Sequence, residues 1–295
     1  LVALAVLAIV DLVVGVSNDA VNFLNSAIGS KAISVRNIMI IASLGVFVGA
    51  ITSSGMMEVA RKGIFNPSMF MFQDIMFIFM AVMITDILLL DIFNSLGMPT
   101  STTVSIVFEL LGAAVCVSLI KISANDAQSF SDLWSYINHE TATKIIFGIL
   151  LSVIVAFSVG AIVQFVSRII YSFNFEKRPS YISALFGGFA ITAITYFIII
   201  KGMKGTPFYK DIKFLIEGST LTIIAGSFVI WAIISQILIQ AFKINILKLI
   251  IGIGTFSLAM AFSGNDLVNF VGVPIAAWNS YEAWSVSGVS ADAFS

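Results

Sequence analysis

The chain has 295 residues, 59% of them hydrophobic and 11% charged, with a net charge of −1 and a mean hydropathy of +1.06. A soluble domain carries about 25% charged residues, so there is too little polar side chain to coat a water-facing globule, and no basic excess to draw a nucleic acid. The single cysteine, Cys116, and single histidine, His139, exclude a disulfide framework, a thiolate cluster and the usual zinc or facial-triad sites.

What remains is a polytopic, all-α membrane protein, because the apolar runs are about 20 residues long rather than ~10-residue alternating strands. In chain order the runs read as 2–16, 37–57, 70–90, 103–120, 145–167, 181–200, 219–241 and 246–262, with shorter apolar pieces at 19–29 and 266–278. The longest polar stretch, Lys121 to Thr143, carries Asp126, Asp132, His139 and Glu140. No linker or low-complexity tract sets off a soluble part, so residues 1–295 are expected to form a single transmembrane domain. The chain opens Leu1-Val2-Ala3 with no methionine and no basic flank, which reads as a fragment or a trimmed start and not as a cleavable signal peptide. Lys31 and Arg36 precede the second run while Arg61 and Lys62 follow it, so the positive-inside rule gives no orientation there.

The charges sort by sign. The fifteen Lys and Arg fall in loops or at the ends of runs, where long side chains reach the interface. Asp11, Asp19, Glu58, Asp74, Asp86, Asp91, Glu109 and Asp266, eight of the sixteen acids, fall within or at the edges of apolar runs. A carboxylate in hydrocarbon is costly and should face a bundle interior or a hydrated cavity. Any one of them could be a protonated structural acid. Eight without a basic partner in the spans point to a cation or proton pathway.

One short string recurs. Ser17-Asn18-Asp19-Ala20-Val21-Asn22-Phe23 returns as Gly264-Asn265-Asp266-Leu267-Val268-Asn269-Phe270, each copy after a long apolar run. Paired polar motifs at membrane depth suggest a two-repeat transporter with its site at the repeat interface. Small residues before each Asn-Asp (Gly15 and Ser17, then Ser263 and Gly264) permit a break in the helix, and Asp19 with Asn22, like Asp266 with Asn269, share a helix face. Asp supplies hard oxygen ligands for a cation, and the Asn amide can donate to an anion or coordinate through its oxygen. The bland alternative is that both motifs merely cap helices.

Gly97-Met98-Pro99-Thr100-Ser101-Thr102-Thr103 precedes the run from Val104 to Ile120. Pro followed by Ser/Thr marks a helix start whose free N–H groups and hydroxyls can bind an anion, either in a re-entrant hairpin or in a plain capped helix. A phosphate-like anion would meet Asp19 and Asp266 with no Lys or Arg in the spans, so cations must lie between the charges or the acids must be protonated. This arrangement predicts cation-coupled anion transport.

With these motifs in hand, the chain resembles the inorganic phosphate transporter (PiT) family of sodium- or proton-coupled symporters. Asn18-Asp19-Ala20-Val21-Asn22 and Asn265-Asp266-Leu267-Val268-Asn269 are similar to that family's paired motif, which sits in two inverted repeats. Gly49 to Ile64, with Glu58, Arg61 and Lys62, looks like the segment after the first motif, and Pro99-Thr100-Ser101-Thr102-Thr103 like its Pro-x-Ser-Thr-Thr hairpin. The resemblance implies sodium at Asp19 and Asp266, with Asn18, Asn265 and Glu58 as further ligands or support. It implies phosphate at Asn22, Ser101, Thr102, Thr103 and Asn269. Val16 and Ser263 replace a family glycine, Val104 replaces a histidine, and Phe108 and Glu109 replace small residues.

The expected architecture is a multi-pass helical bundle with two inverted repeats and broken or re-entrant helices. Residues 1–120 would be the first repeat, 121–245 connecting spans, and 246–295 the start of a second, truncated repeat whose own hairpin would lie beyond Ser295. The expected function is secondary active transport of inorganic phosphate in the cell membrane, coupled to sodium or protons. No cofactor besides the coupling ions and no nucleic-acid partner is expected, and a homodimer is left open. Two rivals stand beside it: an intramembrane aspartyl protease built on two Asp residues, and a channel or nutrient sensor.

Overall fold

In lipid a chain can satisfy its backbone only within helices or a closed barrel, and here the apolar runs become helices. The computed structural model describes residues 1–52, 63–171, 179–202 and 207–294, side chains at 201–217, 265 and 267–269 excepted. The helices of the described chain are α1 (Val2–Ser30), α2 (Val35–Thr52), α3 (Phe72–Ser95), α4 (Thr102–Ser123) and α5 (His139–Tyr171). After these come α6 (Ser180–Phe197), α7 (Pro207–Ala241), α8 (Ile246–Asn265) and α9 (Leu267–Ser285). Eight stretches among the described residues are long and apolar enough to cross a membrane, one in each of α1 to α8. They correspond to the eight long apolar runs. In α7 the backbone leaves helical geometry at Ser219 (φ −135°, ψ 27°), within the described membrane-length stretch Gly218–Ala241.

The first expected run is the one that changed most. Residues 2–16 and the shorter piece 19–29 are fused in one uninterrupted helix, so the break expected before Asn18-Asp19 does not occur. The reason is physical. Gly15 and Ser17 only weaken a helix, whereas opening it inside an apolar run would strand N–H and C=O groups away from water. At the second copy α8 ends at Asn265 and α9 starts at Leu267, an interruption of one residue at which Asp266 keeps right-handed helical dihedrals (φ −96°, ψ −31°).

The chain divides into two compact units. One comprises Leu1–Val21, Gly55–Leu151 and Asn265–Ser295. There α3 packs on α4, and α9 packs on both. Its core includes Leu4, Ile78, Met83, Leu110, Val273 and Ala277, all nearly without solvent exposure. One end is closed by an aromatic group in which Phe70 meets Phe65 and Tyr136 edge-on, with ring centroids 5.3 and 5.5 Å apart. Beside it the Lys121 ammonium is 2.6 Å from an Asp74 carboxylate oxygen, which places this basic residue at the end of its span as expected.

The other unit comprises Asn22–Ser54 and Ser152–Gly264. Its main packing is α6 against α7. Phe23 stacks obliquely on Phe262 at 5.3 Å, and the Ser263 hydroxyl donates to the Val46 carbonyl at 2.7 Å.

Candidate functional site

The first unit assembles its polar centre from α1, the α3–α4 connection and the start of α9. α3 ends at Ser95, and Gly97 takes φ +68°, a left-handed conformation that glycine adopts without strain. Its N–H donates to Asn94 O and that of Met98 to Phe93 O, closing the turn. Pro99 then carries the chain to Ser101, the N-cap of α4, whose hydroxyl accepts from Val104 N–H at 3.4 Å. The expectation that Pro-Thr-Ser opens a helix is met at Thr102.

Asn18 ties this hairpin to α1. Its Oδ1 accepts from Thr100 N–H at 2.9 Å, and its Nδ2 donates to Asn94 Oδ1 at 2.9 Å and to Met98 O at 3.3 Å. Asn94 in turn donates through Nδ2 to Val14 O at 3.1 Å. Asn18 is buried, and its amide is used on both sides. Such pairing matters because buried amides left unsatisfied cost free energy. Asp19, the next residue, is also buried at 3% exposure.

Thr103, in the first turn of α4, donates from Oγ1 to Asp266 Oδ1 at 2.9 Å, bridging residues 163 positions apart. The hairpin motif and the second motif therefore meet directly. Gly15 has a different use from the expected one: a Cβ there would lie 2.1 Å from Phe270 Cζ, so the missing side chain lets the Phe270 ring of the second motif seat against α1.

Of the remaining expected site residues, Thr102 is buried at the head of α4, while Asn22 and Ser101 are exposed. Asn265 and Asn269 lie at the end of α8 and in the first turn of α9, with their side chains outside the description. Glu58 lies outside the described residues. Sequence reading missed Asn94, which clamps Asn18. Its one signal is an amide at the end of an apolar run, six residues before Thr100. Chemically, Asp266 brings a carboxylate, a hard cation ligand, to a hairpin whose hydroxyls and helix start suit an anion.

Comparison with known proteins matches residues 15–292 to the Phosphate transporter family. A putative phosphate permease of Pyrococcus furiosus is 25% identical over 289 residues, covering 92% of this chain and 64% of that protein. A probable low-affinity inorganic phosphate transporter of Bacillus subtilis is 27% identical over 154 residues, 52% of this chain and 41% of that protein. A solved structure titled the sodium-dependent phosphate transporter superposes with a TM-score of 0.65 at 20% identity, over 98% of this chain and 70% of that one, which is a likeness of fold. The chain thus spans about 64% of the length of the first of these curated relatives. With both motif copies and the hairpin inside the matched region, the chain belongs to the phosphate transporter family.

Proposed function

We propose that this chain forms the phosphate- and cation-binding part of a secondary transporter that moves inorganic phosphate with sodium. Asp19 and Asp266 hold sodium, supported by Asn18, Asn265 and Glu58. Asn22, Asn269, Ser101, Thr102 and Thr103 hold phosphate through neutral donors. The observation that carries this reading is the Thr103–Asp266 hydrogen bond, because it puts an anion-type hairpin and a cation-type carboxylate within one hydrogen bond of each other. With no basic residue among the proposed ligands, sodium neutralises the carboxylates and so allows a multiply charged anion to enter. The two motif copies act as halves of an inverted repeat, and rocking of one against the other alternates access. The family's description and the names of its relatives favour this reading over the protease.

The test is uptake of labelled phosphate by proteoliposomes. Uptake should follow an inward sodium gradient and fall to background in Asp19→Asn and in Asp266→Asn. Uptake indifferent to both sodium and proton gradients would overturn the coupling, and single-channel currents would replace the transporter by a channel.

A further inference from the structure

A second group of acids lies in the same unit, away from both motifs. The Ser105 hydroxyl on α4 is 2.6 Å from Asp86 Oδ1 on α3 and 2.7 Å from Glu109 Oε1, one turn further along α4. A serine hydroxyl carries one hydrogen and can donate to only one of these oxygens. The second short contact is met without sharing that hydrogen when a carboxyl group, on Asp86 or Glu109, carries one of its own. Behind them Asp11 on α1 has no solvent exposure, and its carboxyl faces that of Asp86 with no hydroxyl, amide or basic donor. Asp86 is equally buried, and its Oδ2 and the Glu109 Oε2 likewise lack a hydroxyl, amide or basic donor.

The groups acting on Asp11 are Asp86 and Glu109. Of the other charged groups on the surrounding helices, Asp19 is buried about two turns further along α1. Asp74 is paired with Lys121, Asp266 bonds Thr103, and Asp91 and Glu282 are exposed. No basic residue faces the cluster among the described residues. Nor is any set of three His, Cys, Asp or Glu side chains among them arranged to hold a metal ion. A cavity of about 520 Å³ has Thr85, Phe93, Val104, Ser105, Phe108 and Glu109 in its wall.

We propose that Asp86, Ser105 and Glu109, with Asp11 aimed into them, are a proton-binding site. A proton is shared within the carboxyl group of three and exchanged through the cavity at Glu109. Three ionised carboxylates in this apolar setting would repel one another without compensation; each proton taken up removes one charge, and one carboxyl hydrogen supplies the serine's second contact. The site adjoins the hairpin, since Ser105 N–H donates to the Ser101 carbonyl and Thr100 also lines the cavity, but none of its side chains is among the phosphate and sodium ligands proposed above.

The experiment is carbodiimide modification of the purified protein in detergent, read by peptide mass spectrometry, because the reagent attacks protonated carboxyls in apolar surroundings. Glu109 should be labelled near neutral pH, at a rate that falls up to about tenfold per pH unit as the group ionises, and that added sodium leaves unchanged. Infrared spectra of the same preparation should contain the carbonyl stretch of a protonated carboxyl at neutral pH, reduced in Glu109→Gln and shifted in D₂O. If Glu109→Gln fails to fold, the wild-type spectrum and labelling decide alone. Absence of labelling and of the protonated band near neutral pH overturns the proposal. Labelling suppressed by sodium also overturns it, by making the cluster a cation site.

Discussion

The two copies of the small-Asn-Asp-x-Val-Asn-Phe string are nearly the same in sequence but differ in backbone. The first is carried within the continuous helix α1, and the second straddles the one-residue interruption at Asp266. The difference shows that such a motif specifies polar groups at membrane depth without specifying a helix break. Neighbours decide the backbone. In α1 the glycine before the motif accommodates the Phe270 ring, and Asn18 spends its amide on the α3–α4 turn. At the second copy, Asp266 occupies the N-cap position of α9 and accepts from Thr103.

The largest effect expected of a single change tests what Gly15 is for. Were it present to loosen the helix, Gly15→Ala would stabilise the protein by about 0.5–1 kcal/mol through improved helix propensity. The Cβ would instead fall 2.1 Å from Phe270 Cζ, so overpacking should destabilise by about 3 kcal/mol, seen as a lowered thermal midpoint in detergent. Combining it with Phe270→Ala should give a loss smaller than the sum of the two, since the truncated ring removes the clash. Strict additivity would separate Gly15 from Phe270 and return it to a helix-loosening role.

Asn18→Ala comes next. It strips Thr100 N–H of its acceptor and Asn94 Oδ1 and Met98 O of their donor, and should cost about 2 kcal/mol of stability. The same change should increase hydrogen exchange at Thr100 and in the turn before it, with little change in α9. Equal loosening of both regions would mean that Asn18 supports the fold generally and does not anchor the hairpin.

How much of this was legible depended on range. The eight spans follow from apolar run length, because lipid imposes one solution on the backbone. The start of α4 follows from Pro99-Thr100-Ser101, since capping chemistry is local. What Gly15 is for was not legible, because its role is set by Phe270, 255 positions away. The clamp between Asn18 and Asn94, and the meeting of Asp11, Asp86 and Glu109, depend on the relative rotation of three helices. Periodicity within one run carries no information about that rotation. Each of these acids was visible as an anomaly in an apolar stretch, but their convergence was not.

Thr103→Val keeps the shape of the side chain and removes the hydroxyl that reaches Asp266 Oδ1. A hydrogen bond to a carboxylate is worth about 1.5 kcal/mol or slightly more, and the variant should lose about that much. Thr103→Ser restores the donor and should recover most of it. The second copy should thereby prove more dependent on the hairpin's hydroxyl than the first, whose link to the hairpin runs through Asn18. If Thr103→Val and Thr103→Ser behave alike, methyl packing and not the hydroxyl explains the loss.

The smallest expected change in stability gives the clearest separation of structure from function. Ser101 caps α4 with a 3.4 Å contact, at the long limit for a hydrogen bond. Glycine is nearly as good at an N-cap, so Ser101→Gly should cost only a few tenths of a kcal/mol and leave the thermal midpoint almost unmoved. Ser101 is also exposed, unlike its buried neighbour Thr102, so its hydroxyl is open to a ligand in addition to its capping contact. If it holds phosphate as proposed, the half-saturating phosphate concentration for uptake should rise about tenfold, the equivalent of one charge-assisted hydrogen bond. Unchanged affinity with unchanged stability would make Ser101 a cap and nothing more, leaving Thr102 and Thr103 as the hairpin's phosphate ligands. A stability loss as large as that of Asn18→Ala would place Ser101 with the structural clamp instead.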